Sequence, residues 1–144
     1  MALKNYTTGI DADKTASQIA KMLAKAGASA VLTDYEDGYV KAVSFKLKID
    51  TNEIAFRLPC DWKPVLDALE RDPHVPNYRV NQEQAVRTAW KNVHDWVDAQ
   101  LALIETRMVT TQQVFLPYAV TRSGETLFET IAKNPTMLLG TKDK

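Results

Sequence analysis

The stretch from Asn81 to Met108 constrains this chain most, because it reads as one unbroken helix with more apolar surface than a single neighbour can cover. At 100° per residue, Val86, Trp90, Val93, Val97, Leu101, Ile104 and Met108 fall within an arc of about 80°, the stripe expected of a helix lying on a core. Ala85, Ala89, Trp96 and Leu103 form a second set beside it and widen the apolar arc to about 160°, where roughly 100° serves one packed face. The opposite side holds Glu83, Arg87, Lys91, His94, Asp95, Asp98 and Glu105. Glu83/Arg87 and Lys91/Asp95 are spaced i,i+4 in the favourable orientation for ion pairs, so this side is expected to face water. Asn81, with Gln84 three residues on, supplies the N-terminal cap. A helix about 40 Å long needs a partner surface of comparable extent, and the rest of the chain must provide it.

The first sixty residues supply a sheet. Asn5 to Ile10 has room for a short extra strand, and Asp11 or Asp13 then caps a helix through Ala26 that buries Ile19, Met22 and Leu23 and stops at Gly27. Ser29 to Tyr35, Tyr39 to Ile49 and Glu53 to Leu58 read as a three-stranded antiparallel meander turned by Asp37-Gly38 and Asp50-Thr51-Asn52. Alternation sends Val43, Phe45, Leu47 and Ile49 to one face of the middle strand and Ala42, Ser44, Lys46 and Lys48 to the other. In the third strand Ile54, Phe56 and Leu58 face the core, and Glu53, Ala55 and Arg57 face away.

The remainder is helical. Asp61 caps a helix from Trp62 to Arg71 that buries Val65, Leu66 and Leu69, and the Pro73/Pro76 segment leads into the long helix. Thr110 with Gln113 forms a capping box for a short helix carrying Val114, Phe115 and Leu116, and Ser123 caps a last helix of Leu127, Phe128 and Ile131. The expectation is one α+β domain over residues 1–144: helix plus meander to residue 60, a helical half over 61–140 with the long helix on the sheet, and a fraying tail from Thr141 to Lys144.

Composition excludes several function classes. No apolar run approaches the length of a membrane span, and 18 basic residues balance 18 acidic ones, so there is no global field to draw in nucleic acid or an anionic membrane. Cys60 is the lone cysteine and the N-terminus lacks a signal-peptide core, so a reducing cytoplasm is the expected compartment. His94 and Asp98 stand one helical turn apart, but with no second histidine or cysteine nearby they read as a solvated pair rather than a metal or catalytic site. His74 lies in a proline-flanked loop, and Cys60 reads as a small residue tucked in at a strand end. The paired carboxylates Asp11/Asp13, Glu36/Asp37 and Asp95/Asp98 serve as caps, turn residues or helix surface. The scattered glycines form no phosphate loop, so no cofactor, metal or catalytic residue is assigned.

Two surfaces carry the functional expectations. Lys46, Lys48 and Arg57 project from one sheet face beside Ala42, Ser44 and Ala55, where they would track the phosphates of single-stranded nucleic acid, with Tyr35 or Tyr6 stacking; ordinary surface solubility explains the same charges. The Trp96/Leu103 flank of the long helix is a candidate protein interface, unless the last helix folds back over it. The helix, meander, helix order also matches a double-stranded-RNA-binding domain, but Asp61-Trp62-Lys63-Pro64 stands where a lysine-rich helix start would be needed.

With Asn5-Tyr6-Thr7-Thr8, Phe56-Arg57-Leu58-Pro59, Asp95-Trp96-Val97-Asp98-Ala99-Gln100-Leu101 and Phe115-Leu116-Pro117-Tyr118, the chain resembles a family of small uncharacterised bacteriophage and prophage proteins over nearly its full length. The resemblance implies a viral or proviral context, with the host cell's cytoplasm as the compartment, and carries no activity. The expected function is a non-enzymatic accessory that binds single-stranded nucleic acid in phage DNA metabolism. The alternative is an interaction module that binds itself or inhibits a host protein.

Overall fold

Alternation along Tyr39–Ile49 is the feature around which the observed architecture is organised. The computed structural model describes residues 3–138, with helix α1 (Ala12–Lys25), strands β1 (Ala30–Glu36), β2 (Tyr39–Ile49) and β3 (Asn52–Pro59), then helices α2 (Lys63–Arg71), α3 (Gln82–Glu105), α4 (Thr111–Phe115) and α5 (Leu127–Ala132). The strands form one antiparallel sheet in the order β1-β2-β3. Asp37 and Gly38 both take positive φ (53° and 83°), the backbone that a two-residue hairpin turn requires. Val43, Phe45 and Leu47 of β2 and Phe56 and Leu58 of β3 are buried in one cluster with Ile19 and Leu23 of α1 and Val86, Trp90 and Val97 of α3. The long helix therefore packs on the sheet, as its stripe predicts.

One irregularity in β2 matters to that packing. Asp34 pairs with Ala42 but Tyr35 pairs with Val40, so Lys41 is an extra residue, a β-bulge. The bulge reverses the alternation and lets Val40 join Val43 inside although three positions separate them. The Val40 carbonyl accepts a hydrogen bond from the Trp90 indole Nε1–H at 2.9 Å, which fixes α3 against the end of the sheet.

Helices α1 and α3 end by the same hydrogen-bond pattern with different residues. At α1, Gly27 (φ 110°) donates to Ala24 and Ala28 donates to Leu23. At α3, Arg107 (φ 66°) takes the left-handed position, donating to Ile104 while Met108 donates to Leu103. An arginine in place of glycine hides this stop from a sequence reading. Met108, expected on the buried stripe, lies beyond the helix and is exposed.

Two further expectations are corrected. Residues 4–7 form a turn and not an extra strand, because Asn5 has φ 66° and its side chain is bound to α3. The cap of α5 is Thr126, in a reciprocal box with Glu129, and not Ser123. The expected frayed tail, Thr141 to Lys144, lies outside the described residues. A second, smaller cluster joins Leu69 of α2, Val75 and Ala85, packed with Leu3, Tyr6, Val65 and Leu66.

Trp90→Phe should test the link between sheet and helix. It leaves the Val40 carbonyl without its indole donor, and the expected loss is about 1–3 kcal/mol of stability, read as a lower urea midpoint at unchanged slope.

Candidate functional site

The sheet face turned away from the core carries the expected cations, and the structure sets a carboxylate beside two of them, Lys48 and Arg57. Lys46 and Lys48 are exposed and make no ion pair among the described residues. Lys48, however, stands directly opposite Glu53 across the β2/β3 register. Arg57 is committed: its Nη2 donates to the Gly124 carbonyl at 2.9 Å and pairs with Glu129 at 3.4 Å. Asp34 lies on the same face, in register with Ala42. Tyr35 is one residue out of phase with Ala30, Leu32 and Asp34, which places it on the other face from Lys46 and Lys48. Tyr6 belongs to the small cluster around Leu69. The structure thus brings Lys46, Lys48 and Arg57 onto one face but adds no stacking tyrosine to it.

The flank of α3 is arranged differently. Trp96 is half-buried, its ring 5.8 Å from Phe115 and 5.9 Å from Tyr118, both edge-on. The cover comes from α4 and the 3-10 turn Leu116–Tyr118 that follows it, and not from α5, whose Phe128 is exposed. Two connected facts explain this. The Thr110/Gln113 capping box fixes the start of α4, and Pro117 tightens the next turn so that Phe115 points into the core and Tyr118 lies over the indole. Trp96 with Val93, Leu58, Pro59, Asn92 and Tyr118 lines an open groove of about 270 Å³ between the end of β3 and the middle of α3. Leu103 is partly exposed one helical stretch further on and does not line this groove.

The polar side of α3 is only in part the solvated face its charges suggest. The N-terminal arm lies along it. Asn5 donates to Asn92 Oδ1 (2.8 Å) and to Asp95 Oδ2 (3.0 Å), the carbonyls of Asn5 and Thr8 accept from Thr88 and Gln84, and Gln84 also donates to Thr88. Gln84 and Thr88 are consequently buried although they are polar, with their side chains satisfied by the arm. His94 meets Asp95 (3.0 Å), not Asp98, which is exposed. Burial works against ionisation of Asp95, but the bonds from Asn5 and His94 and the charges of Lys91 and Lys4 outweigh it and bring the carboxyl from 3.8 down to about 2.

Cysteine chemistry has no support. Burial, and then the neighbouring Asp61 carboxylate, push the Cys60 thiol up to about 12, so it stays protonated and unreactive at neutral pH. His74 turns back on Asp72 (3.0 Å), whose carboxylate also holds the Leu3 N–H, and it does not approach Cys60 as a base. Among the described residues no group of histidine, cysteine and carboxylate side chains is placed to hold a metal ion, and no helix is long and apolar enough to cross a membrane. No protein-family model, curated protein or solved structure matches this chain.

The lowered Asp95 value sets a pH dependence. Its contribution to stability is complete above about pH 4 and disappears as the pH falls towards about 2, so acid unfolding should be shallower across this window in Asp95→Asn, followed by tryptophan fluorescence. Cys60 should react with iodoacetamide at least about a hundredfold more slowly in the folded protein than in urea, by mass spectrometry at pH 8.

Proposed function

We propose that this protein is a non-enzymatic interaction module that takes a side chain of a partner protein into the groove beside Trp96. The observation that carries this reading is the groove itself. It leaves a tryptophan edge, Val93 and Tyr118 partly open on a rigid base of helix and strand, which is how an interface anchor is normally received. An apolar side chain from the partner would gain by leaving water there, while Asn92 at the rim is already engaged by Asn5. The groove also explains the excess apolar arc of α3: α4 and its following turn cover part of the second flank and leave the rest to a partner.

The nucleic-acid reading has less behind it. On the outer sheet face Glu53, Asp34 and Glu129 answer the charges of Lys48, Lys46 and Arg57 in number, and a phosphate backbone would meet a near-neutral surface without stacking aromatics. The resemblance to phage and prophage proteins suggests a host protein as the partner, in keeping with an accessory that inhibits or redirects a host activity.

Panning displayed peptides against the full chain tests this directly, with labelled single-stranded oligonucleotides as the opposing probe. Selected peptides should carry an apolar anchor, lose at least about tenfold in affinity to Val93→Arg, and be indifferent to Lys46→Glu/Lys48→Glu. Salt-sensitive oligonucleotide binding that Lys46→Glu/Lys48→Glu abolishes, with no peptide selected, would reverse the assignment.

A further inference from the structure

The two edges of the sheet are finished in different ways. The chain itself closes the outer edge of β3, where the Val120 N–H donates to the Ala55 carbonyl at 2.8 Å and Ala119 bridges Phe56. No described residue pairs with the outer edge of β1. An open edge is a template for another strand, and folded proteins usually shield it with lysine, proline or a very short strand. β1 has seven residues and neither lysine nor proline, and it exposes Leu32 (63%) and Tyr35 (56%) on its two faces.

We infer that β1 pairs antiparallel with β1 of a second copy of this chain, about a twofold axis at Leu32, joining the two sheets into one. This register makes the edge complementary to itself at three places. Leu32 meets the other copy's Leu32, so both exposed side chains leave water together. Asp34 falls opposite Ala30, whose neighbour on β2 is Lys46. Because alanine fills little space, the exposed Lys46 ammonium can extend over it to the other copy's Asp34, and the twofold axis repeats the pair. Tyr35 reaches past the start of the other β1, towards the mouth of a groove of about 330 Å³ between α1 and β1 lined by Ala20, Ala24, Ala28 and Val31.

Charge disfavours the registers centred on Asp34 or Tyr35, and the exposed Leu32 favours its own pairing over a one-residue slip. Centred on Asp34, the pairing would set like carboxylates face to face, which is unfavourable. Centred on Leu32, it places Asp34 against Ala30 and carries Glu36 past the start of the other β1, so no two acids oppose each other. Neither Asp34 nor Lys46 has an ion-pair partner within its own chain among the described residues, and pairing supplies one to each. This interface lies at the sheet edge away from the Trp96 groove and is independent of what that groove binds.

Sedimentation velocity on the full chain over a wide concentration range, combined with cysteine cross-linking, tests the pairing and its register. The wild type should dimerise with rising concentration, Asp34→Lys should weaken the dimer by about tenfold, and Asp34→Lys/Lys46→Asp should recover most of that loss. Under mild oxidation Leu32→Cys should form a covalent dimer, while Asp34→Cys, whose two copies stand roughly 13 Å apart along the paired strands, should not. A monomer at every concentration, equal cross-linking at both positions, or no recovery in the double exchange would overturn the inference.

Discussion

Phe115 is completely buried, and its ring lies 5.4 Å from Phe45, 6.0 Å from Phe56 and 5.8 Å from Trp96. Through this one side chain the sheet, the long helix and the C-terminal part of the chain share a core. Each contact is edge-on or tilted, an arrangement that aromatic quadrupoles favour, and truncating a phenylalanine so placed typically costs 3–5 kcal/mol. The rest follows from its position. With Phe115 held between β2, β3 and α3, the turn Leu116–Tyr118 must pass over Trp96, and Ala119 and Val120 are delivered to the open side of β3. The same side chain thus decides how much of Trp96 remains accessible and which sheet edge stays free.

The N-terminal arm solves a different problem on the other side of α3. A segment with turn geometry has backbone carbonyls that cannot be satisfied by a strand partner, and the arm turns those of Asn5 and Thr8 toward the helix. Gln84 and Thr88 supply the donors, and Asp95 accepts from the Asn5 amide. The polar residues of the helix are therefore structural where the arm covers them and solvated elsewhere. Asp95, surrounded by Asn5, His94, Lys91 and Lys4, stays ionised because donors and cations outweigh its partial burial.

Charge on the outer sheet face shows how register changes the meaning of a motif. Lys46, Lys48 and Arg57 form a basic group when strands are counted one at a time. Once β2 and β3 are paired and α5 is in place, Glu53 stands beside Lys48 and Glu129 beside Arg57. Lys46, flanked by Ala30 and Ala55, is the cation with the most room to reach outward.

Local chemistry in the sequence determined the elements: the helix cap at Asn81, the Thr110/Gln113 box, the Asp37-Gly38 turn, the alternation of β2 and the stripe centred on Trp90 all report interactions between residues a few positions apart. Those signals also place the long helix on the sheet, since its apolar stripe and the inner face of the meander each need the other. The bulge at Lys41 and the left-handed stop at Arg107 were hidden, because nothing in those residue types announces such a backbone; asparagine tolerates the left-handed turn at Asn5, but its partners Asn92 and Asp95 lie far away in the chain. The candidate site was legible only as a list of residue types. Which cover lies on Trp96, which cations have a carboxylate beside them and which strand edge is left open depend on contacts between residues far apart in the chain, and only the tertiary structure decides those.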